Sequence, residues 1–396
     1  MATSAFPVTR TCPYAPPAEH VRLREEEPVA RVTLPSGASV WAVSRLEDVR
    51  TMLNDPRFSS DRQHPGFPQF FSGRPQAAMP GRMLLGMDPP EHGEARRAVV
   101  GEFTVKRMNA LGPRIQQIVD QHLDAMLAGP RPADLVQALS LPVPSLVICE
   151  LLGVPYADHE FFQRNSGMLL RRTTPPEQRR EAVGALRSYI RELLVQKERD
   201  PGDDLFSRQL AQSGDRDDLV NLGFLLLLAG HETTANMISL GVMTLLENPA
   251  QLAALRADPE VTPRAVEELL RYFTIAEFAV SRVAIQDVEI GGVLIRAGEG
   301  VIALGNTANR DPAAFEDGDR LDFDRGARHH VAFGFGPHQC LGQNLARLEL
   351  QIVFDTLFRR VPGLRLAASV DELPFKDDAA IYGLYELPVT WDTVEG

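Results

Sequence analysis

The sequence predicts a mainly α protein with a minor β part, folded as one helix-rich domain over residues 1–396. Helical periodicity runs from Glu91 to Arg271 with only short breaks. Strand-like alternation is confined to the stretch before Asp61 and to "DVEIGGVLIRAGEGVIAL". No linker, internal repeat or low-complexity tract separates these regions.

Along the chain, "ARVTLPSG" and "ASVWAVS" are predicted strands around the turn residues Pro35, Ser36 and Gly37, and "RLEDVRTMLND" has helical spacing. These make a β-rich part over 1–61, followed by a helix-rich part over 62–396. Residues 62–85 set Phe67, Phe70, Phe71, Met79 and Met83 among prolines and glycines. That is too irregular for a long helix and too apolar for an ordinary surface loop, so a binding loop is expected. The helical run breaks at Gly129-Pro130, Gly153-Val154-Pro155, Thr174-Pro175-Pro176, Pro201-Gly202 and Ser213-Gly214. A last long helix is predicted through "LGQNLARLELQIVFDTLFRR".

Composition excludes several classes. With 44% hydrophobic and 24% charged residues the chain has the makings of a folded core. The longest apolar run, Leu222 to Gly230, falls short of the roughly 20 residues that cross a bilayer, and the first residues lack a basic-then-apolar signal pattern. A cytoplasmic protein with no membrane partner is expected. Cys12, Cys149 and Cys340 are odd in number and widely spaced, which does not read as a disulfide framework. A net charge of −12 argues against nucleic acid.

One cysteine has unusual neighbours, in "FGFGPHQCLG". Gly334, Gly336 and Gly342 permit turns and close approach of a flat ligand, and a helix beginning just after Cys340 offers its N-terminal dipole to a thiolate. A nucleophile–base pair with His338 is disfavoured because two neighbours on a tight loop rarely face each other. Zinc lacks further cysteines at ligand spacing. A lone thiolate with an open position opposite is how haem iron is held when O–O bonds are to be split.

At these residues the chain resembles the cytochrome P-450 superfamily: Phe333, Gly336, Cys340 and Gly342 match its haem-binding signature. The resemblance implies the fold of that family and haem b (iron protoporphyrin IX) ligated by Cys340. "FTVKRM", "LPVPSLVICELLGVPYADHEFF", "IRAGEGVI" and "ANRDP" extend the likeness over nearly the whole chain, towards soluble actinobacterial, Streptomyces-type members.

Three further motifs gain meaning from the resemblance. In "LLLLAGHETTANM" a mid-helix threonine would ordinarily bond back to the preceding turn. Glu232-Thr233 resembles the family's acid–alcohol pair, which implies room for O2 at Ala229 and Gly230, a hydrogen bond from Thr233 and proton transfer by Glu232. His231 is expected to be structural or water-facing. In "EELLRY", Glu268 and Arg271 have the spacing of a surface ion pair worth about 0.2–0.5 kcal/mol. The resemblance makes them a structural clamp, with Arg325 or Arg328 as partner. In "DPPEHGEARR", His92 and Arg96 share a helical face, and the resemblance makes them ligands of the haem propionates together with Arg282 and His338.

By family position the substrate pocket is expected from Phe67, Phe70, Phe71, Met83, Leu84, Leu225, Leu226, Ala229, Ile275, Ala276, Phe278, Ile381 and Tyr382. Arg171, Arg172, Arg179 and Arg180 are expected on a solvated mobile loop, with recognition of a carboxylate or polyol as the alternative. Electrons, ultimately from NAD(P)H, are expected through a ferredoxin or flavodoxin and its reductase, docking at Arg97, Lys106, Arg107, Arg328 or Arg347. The implied activity is O2-dependent hydroxylation of a bulky apolar molecule, a macrolide or other polyketide first and a xenobiotic or steroid-like compound second. A peroxide-driven enzyme and a non-catalytic haem sensor remain open, and a monomer is expected.

Overall fold

Residues 29–43 alternate so that both faces of a strand pair are apolar, a pattern that a lone helix cannot satisfy. The computed structural model, which describes residues 4–70, 83–171, 173–212, 215–276 and 280–392, forms that pair. Val29–Thr33 runs antiparallel to Ser39–Val43, with Val29 opposite Val43 and Thr33 opposite Ser39. The chain reverses at Gly37, whose φ of +83° glycine adopts without strain.

Two compact units share the described residues. The first comprises those of Met1–Val100, Leu270–Leu321 and Ala327–Leu341. Its six-stranded sheet has the order Ser4–Ala5, Val29–Thr33, Ser39–Val43, Gly300–Ala303, Ser281–Ala284, Phe58–Ser59. Val29, Val43, Val301 and Ala303 face one way, against Leu46, Val49 and Met52 of the helix Leu46–Asn54 and against Phe315. Ala30, Val32, Val40, Ala42 and Ile302 face the other way, against Phe6 and Leu23. Each fully buried Val or Leu side chain here is worth about 1.5–3 kcal/mol. The helix Leu46–Asn54 also seats the cysteine loop: a Cβ on Gly336 would come within 2.8 Å of the Leu53 carbonyl.

The second unit comprises the described residues of Gly101–Leu269, Asp322–Gly326 and Gly342–Gly396, and is largely helical. Val105–Ala128 starts on Thr104, whose hydroxyl accepts from the Arg107 N–H. Gln343–Arg360 lies along it, with Arg360 Nη1 3.0 Å from Asp120 and Gln116 Nε2 2.9 Å from Thr356 Oγ1. Pro142–Leu152 is apolar nearly all round and correspondingly buried, and ends at Gly153 with φ +73°. Arg216–Gly230 starts on the Asp215 carboxylate, breaks at His231 (φ −104°, ψ −47°) and resumes as Glu232–Glu247, which is buried on nearly every side. A three-stranded sheet pairs Arg365–Leu366 with Pro388–Thr390 and the latter with Ala133–Asp134.

The predicted breaks at 129–130, 153–155, 174–176 and 201–202 fall at or between helix ends, and Ser213-Gly214 lies outside the described residues. The fold is helix-rich with small sheets, as the periodicity predicts. No helix among the described residues is long and apolar enough to cross a membrane.

Candidate active site

The cysteine loop is folded on itself. The Cys340 N–H donates to the Phe333 carbonyl at 2.8 Å and the Gln339 N–H to that of Gly336 at 3.0 Å. Gly334 and Gly336 take φ of +72° and +68°, the left-handed region that favours glycine. Gly342 does not: its φ is −84°, and a Cβ there would meet nothing within 4 Å. The turns expected of three glycines therefore belong to two of them, while Gly342 borders open space. The Cys340 thiol is exposed.

Four basic side chains stand around this loop. The rings of His92 and His338 stack at 3.9 Å. His338 Nε2 is 3.1 Å from Ser60 Oγ, and Arg96 Nη2 donates to the Gln339 carbonyl at 2.6 Å. Arg282 is 6% exposed, with Nη1 on the Ser281 carbonyl at 2.8 Å. Burial lowers the Arg282 guanidinium to about 10, with Asp88 opposing. Burial, then Arg282, His92 and Arg96, push His338 down to about 3. Burial, then Arg96 and Arg282, lower His92; burial also lowers Arg96, against the pull of Cys340.

The shifts of Arg96 and Arg282 mark dehydrated cations short of anions, and those of His92 and His338 mark imidazoles that the same burial and charge hold neutral. The nearby Asp88 carboxylate already accepts from the Ser60 N–H at 2.7 Å and from the Ser59 hydroxyl. His92 Nε2 is buried without a hydrogen-bond partner. An exposed thiol, open space at Gly342, two unmatched guanidiniums and two imidazoles beside them fit an iron porphyrin with two carboxylates, the group that the sequence resemblance implies.

At the helix break, Thr233 Oγ1 donates to the Ala229 carbonyl at 2.8 Å. Ala229 is exposed, whereas a Cβ on Gly230 would lie 3.0 Å from Ile148 Cδ1. Ala229 is thus open beside Thr233, while Gly230 faces Ile148 of the helix Pro142–Leu152. His231 is 1% exposed, with Nδ1 2.7 Å from the Leu227 carbonyl and Nε2 2.8 Å from Ser166 Oγ, so of its two expected roles the structure shows the structural one. Glu232 is 9% exposed and its Oε2 is 3.0 Å from Lys376 Nζ. Burial acts to raise the Glu232 carboxyl, but Lys376, then His231 and Arg171, hold it below its usual range.

Glu268 is 1% exposed and accepts from Arg325 Nε at 3.2 Å and from the Asp322 N–H at 3.0 Å. Arg271 is fully buried and donates to the carbonyls of Asn309 and Gly318, each at 2.7 Å, and of Arg320 at 3.3 Å. Neither is a surface residue, and of the two arginines expected opposite Glu268 it is Arg325 that meets it.

The expected pocket residues divide between the units. Phe67, Met83 and Ile275 are buried and Phe70, Leu84 and Ala276 partly exposed in the first; Leu226, Ile381 and Tyr382 are buried and Leu225 partly exposed in the second. Phe70 sets its ring 6.0 Å from Phe6, against the sheet. Phe71, Phe278, Met79 and Arg172 lie outside the described residues. A groove of about 1410 Å³ on the first unit, lined by Arg24, Glu47, Asp48 and Arg57 among others, holds none of the expected pocket residues.

Arg179 donates to the carbonyls of Leu169 at 2.7 Å and Thr174 at 3.3 Å, which directs it to the backbone before the helix Pro176–Arg199. Of the expected docking cations, Arg97, Lys106, Arg107 and Arg328 are exposed, Arg107 while pairing with Glu102, and Arg347 pairs with Glu267. Sequence reasoning missed Ser60, Asp88, Ser166 and Lys376. The first reaches His338 across 278 positions and the last reaches Glu232 across 144, separations at which no local pattern can point.

Comparisons with known proteins agree with this reading. Residues 177–361 match the family model described as cytochrome P450. The chain is 54% identical to pentalenic acid synthase of Streptomyces avermitilis over 98% of each chain. The crystal structure of cytochrome P450 MoxA from Nonomuraea recticatena superposes with a TM-score of 0.94 at 60% identity, covering 100% of both chains. The mycinamicin VIII C21 methyl hydroxylase of Micromonospora griseorubida, bound to mycinamicin VIII, gives 0.93 at 41% identity, over 98% of this chain and 100% of that one. On these likenesses this chain belongs to the cytochrome P450 family and is a monooxygenase of that family.

Proposed function

We propose that this protein, with 1–396 as one catalytic domain, hydroxylates an unactivated C–H bond of a bulky, largely apolar small molecule in the tailoring of a macrolide or other polyketide. O2 is the cosubstrate, and two electrons come from NAD(P)H through a separate reductase and a ferredoxin or flavodoxin. The observation that carries the reading is the carboxylate–alcohol couple Glu232-Thr233 at the helix break, beside exposed Ala229. A haem protein that only senses or stores a ligand has no use for a placed proton donor.

Haem iron, when bound to Cys340, supplies oxygen activation, and thiolate donation favours O–O cleavage. Arg96 and Arg282, guanidiniums short of anions, would hold the propionates by charge-assisted hydrogen bonds, with His92 and His338 as ring N–H donors beside them. Thr233 donates its hydroxyl proton to the reacting oxygen in place of the Ala229 carbonyl, and Glu232 replaces that proton. Apolar residues such as Leu226 and Ile381 would exclude water and orient the substrate, which sets the oxidised carbon.

The bound mycinamicin VIII of one relative supports a macrolide-sized ligand. The test is titration of the haem-loaded protein with macrolides, other polyketides, secosteroids and drug-like compounds, reading the high-spin shift, then turnover with ferredoxin, reductase and NAD(P)H. A response to macrolides or polyketides, with product gaining one oxygen, is expected. A broad response to unrelated drugs would favour a xenobiotic hydroxylase, and no product from any compound would contradict the proposal.

A further inference from the structure

The chain has three lysines, and two of them are paired away from solvent: Lys197 with Asp204, at a helix start, and Lys376 with Glu232, where Nζ is 3.0 Å from Oε2 and both side chains are 12% exposed. A pair so placed must offset the dehydration of two charges, so it holds only while its geometry holds. Lys376 stands at the foot of a loop. Its N–H donates to the Gly383 carbonyl at 2.9 Å, and Phe375 bridges to Leu384. That loop carries Ile381 and Tyr382, with the Tyr382 ring stacked on Phe375 at 5.8 Å.

The loop is keyed to the helix Glu232–Glu247 at a second point. A Cβ on Gly383 would lie 2.0 Å from Asn236 Oδ1, one turn beyond Glu232. Asn236 Nδ2 is buried without a partner. Behind the lysine, 5.5 Å away, stands the ring of Tyr385, whose hydroxyl donates to Asp378. Asp378 also accepts from Thr173 at 3.2 Å, and Arg171 lies over the Tyr385 ring at 5.2 Å. The groups about Glu232 are therefore Lys376 and Tyr385 from the loop, Arg171 beyond the helix His159–Leu170, and His231 beside it.

We propose that Lys376 is a positioning residue for proton delivery: it holds the Glu232 carboxylate at the helix break while the pocket is empty, and substrate pressing on Ile381 and Tyr382 moves the loop and loosens that hold. The inference rests on the monooxygenase reading and names how substrate is felt by the proton donor. Without the lysine, protons reach reduced oxygen whether or not substrate is present. NAD(P)H then passes two electrons through the redox partner to O2, which takes two protons and leaves as hydrogen peroxide.

The test uses haem-loaded parent, Lys376→Met, Lys376→Arg and Glu232→Gln with ferredoxin, reductase and NAD(P)H. In Lys376→Met, substrate-free NAD(P)H oxidation and peroxide are expected to rise about tenfold, within the roughly 5–150-fold range of coupling between linked sites. Stimulation by substrate is lost in the same step, and Lys376→Arg restores both. Infrared spectra provide a readout independent of turnover: Lys376→Met gains a protonated-carboxyl band that disappears in the double variant Lys376→Met/Glu232→Gln. Parent-like oxidation and no such band in Lys376→Met overturn the inference alone, provided Glu232→Gln impairs turnover. Turnover unaffected by Glu232→Gln overturns the proton-donor reading and the inference with it.

Discussion

Arg282→Met is expected to separate what the cation cluster costs the protein alone from what it does for the cofactor. Arg282 is 6% exposed, and burial lowers it to about 10 despite Asp88. An arginine ordinarily titrates above about 12, so at about 1.4 kcal/mol per decade the dehydration left unmatched is about 3 kcal/mol. The sign follows from linkage: a base with a lower value in the folded than in the unfolded state carries its full penalty at pH 7, below both values, and sheds it only in strong alkali. Methionine keeps much of the volume and removes the charge. Without haem the variant should therefore match the parent in stability or exceed it by up to about 3 kcal/mol. With haem it loses a charge-assisted hydrogen bond worth about 1.5–3 kcal/mol. Urea unfolding of both proteins, with and without haem and followed by far-ultraviolet circular dichroism, measures the stabilisation due to haem. That increment should fall by about 3 kcal/mol or more, roughly a hundredfold in haem affinity. Equal losses with and without haem would refute the reasoning, because Arg282 would then be a packing residue only.

Glu268→Gln removes the carboxylate charge that faces Arg325 (9% exposed) and should destabilise the protein by about 3–5 kcal/mol in urea melts. Adding Arg325→Met should recover part of that, and a double variant as unstable as the sum of the two singles would contradict a buried pair. Burial holds His231 below its ordinary 6.5, against Glu232 and the Leu227 carbonyl. A base depressed in this way contributes stability that is whole above 6.5 and is lost as pH falls, so His231→Gln should flatten the acid limb of a stability–pH curve; an unchanged limb would count against it. Thr233→Ala should lower product per NAD(P)H about tenfold at least, with peroxide as the balance, since a placed proton donor contributes on the order of 10²–10⁴ in rate. Unaltered coupling would count against the role of the hydroxyl.

The parts legible in the sequence are those in which physics acts over short spans. Period-two alternation at 29–43 fixes the strand pair, Gly and Pro mark the helix ends near 129–130, 153–155, 174–176 and 201–202, and Gly334 and Gly336 around Cys340 mark the turn that only glycine enters easily. Spacing alone placed His92 with Arg96 and Glu268 with Arg271, yet it suggested surface pairs; burial of His92, Glu268 and Arg271 is a tertiary fact. Strands 281–284 and 300–303 joining the early sheet, Ser60 meeting His338 and Lys376 meeting Glu232 depend on how distant segments come together. Gly230 likewise faces Ile148, 3.0 Å from where a Cβ would stand, a neighbour that its local pattern does not announce.

Carbon monoxide added to the reduced, haem-loaded protein tests the central claim most directly, since the absorption band of that complex reports what ligates the iron. With Cys340 as the thiolate ligand, the main band should be strongly red-shifted, and Cys340→Ser should abolish the shift. An ordinary, histidine-like carbon monoxide spectrum in the parent, or the same red-shifted band after Cys340→Ser, would contradict the account.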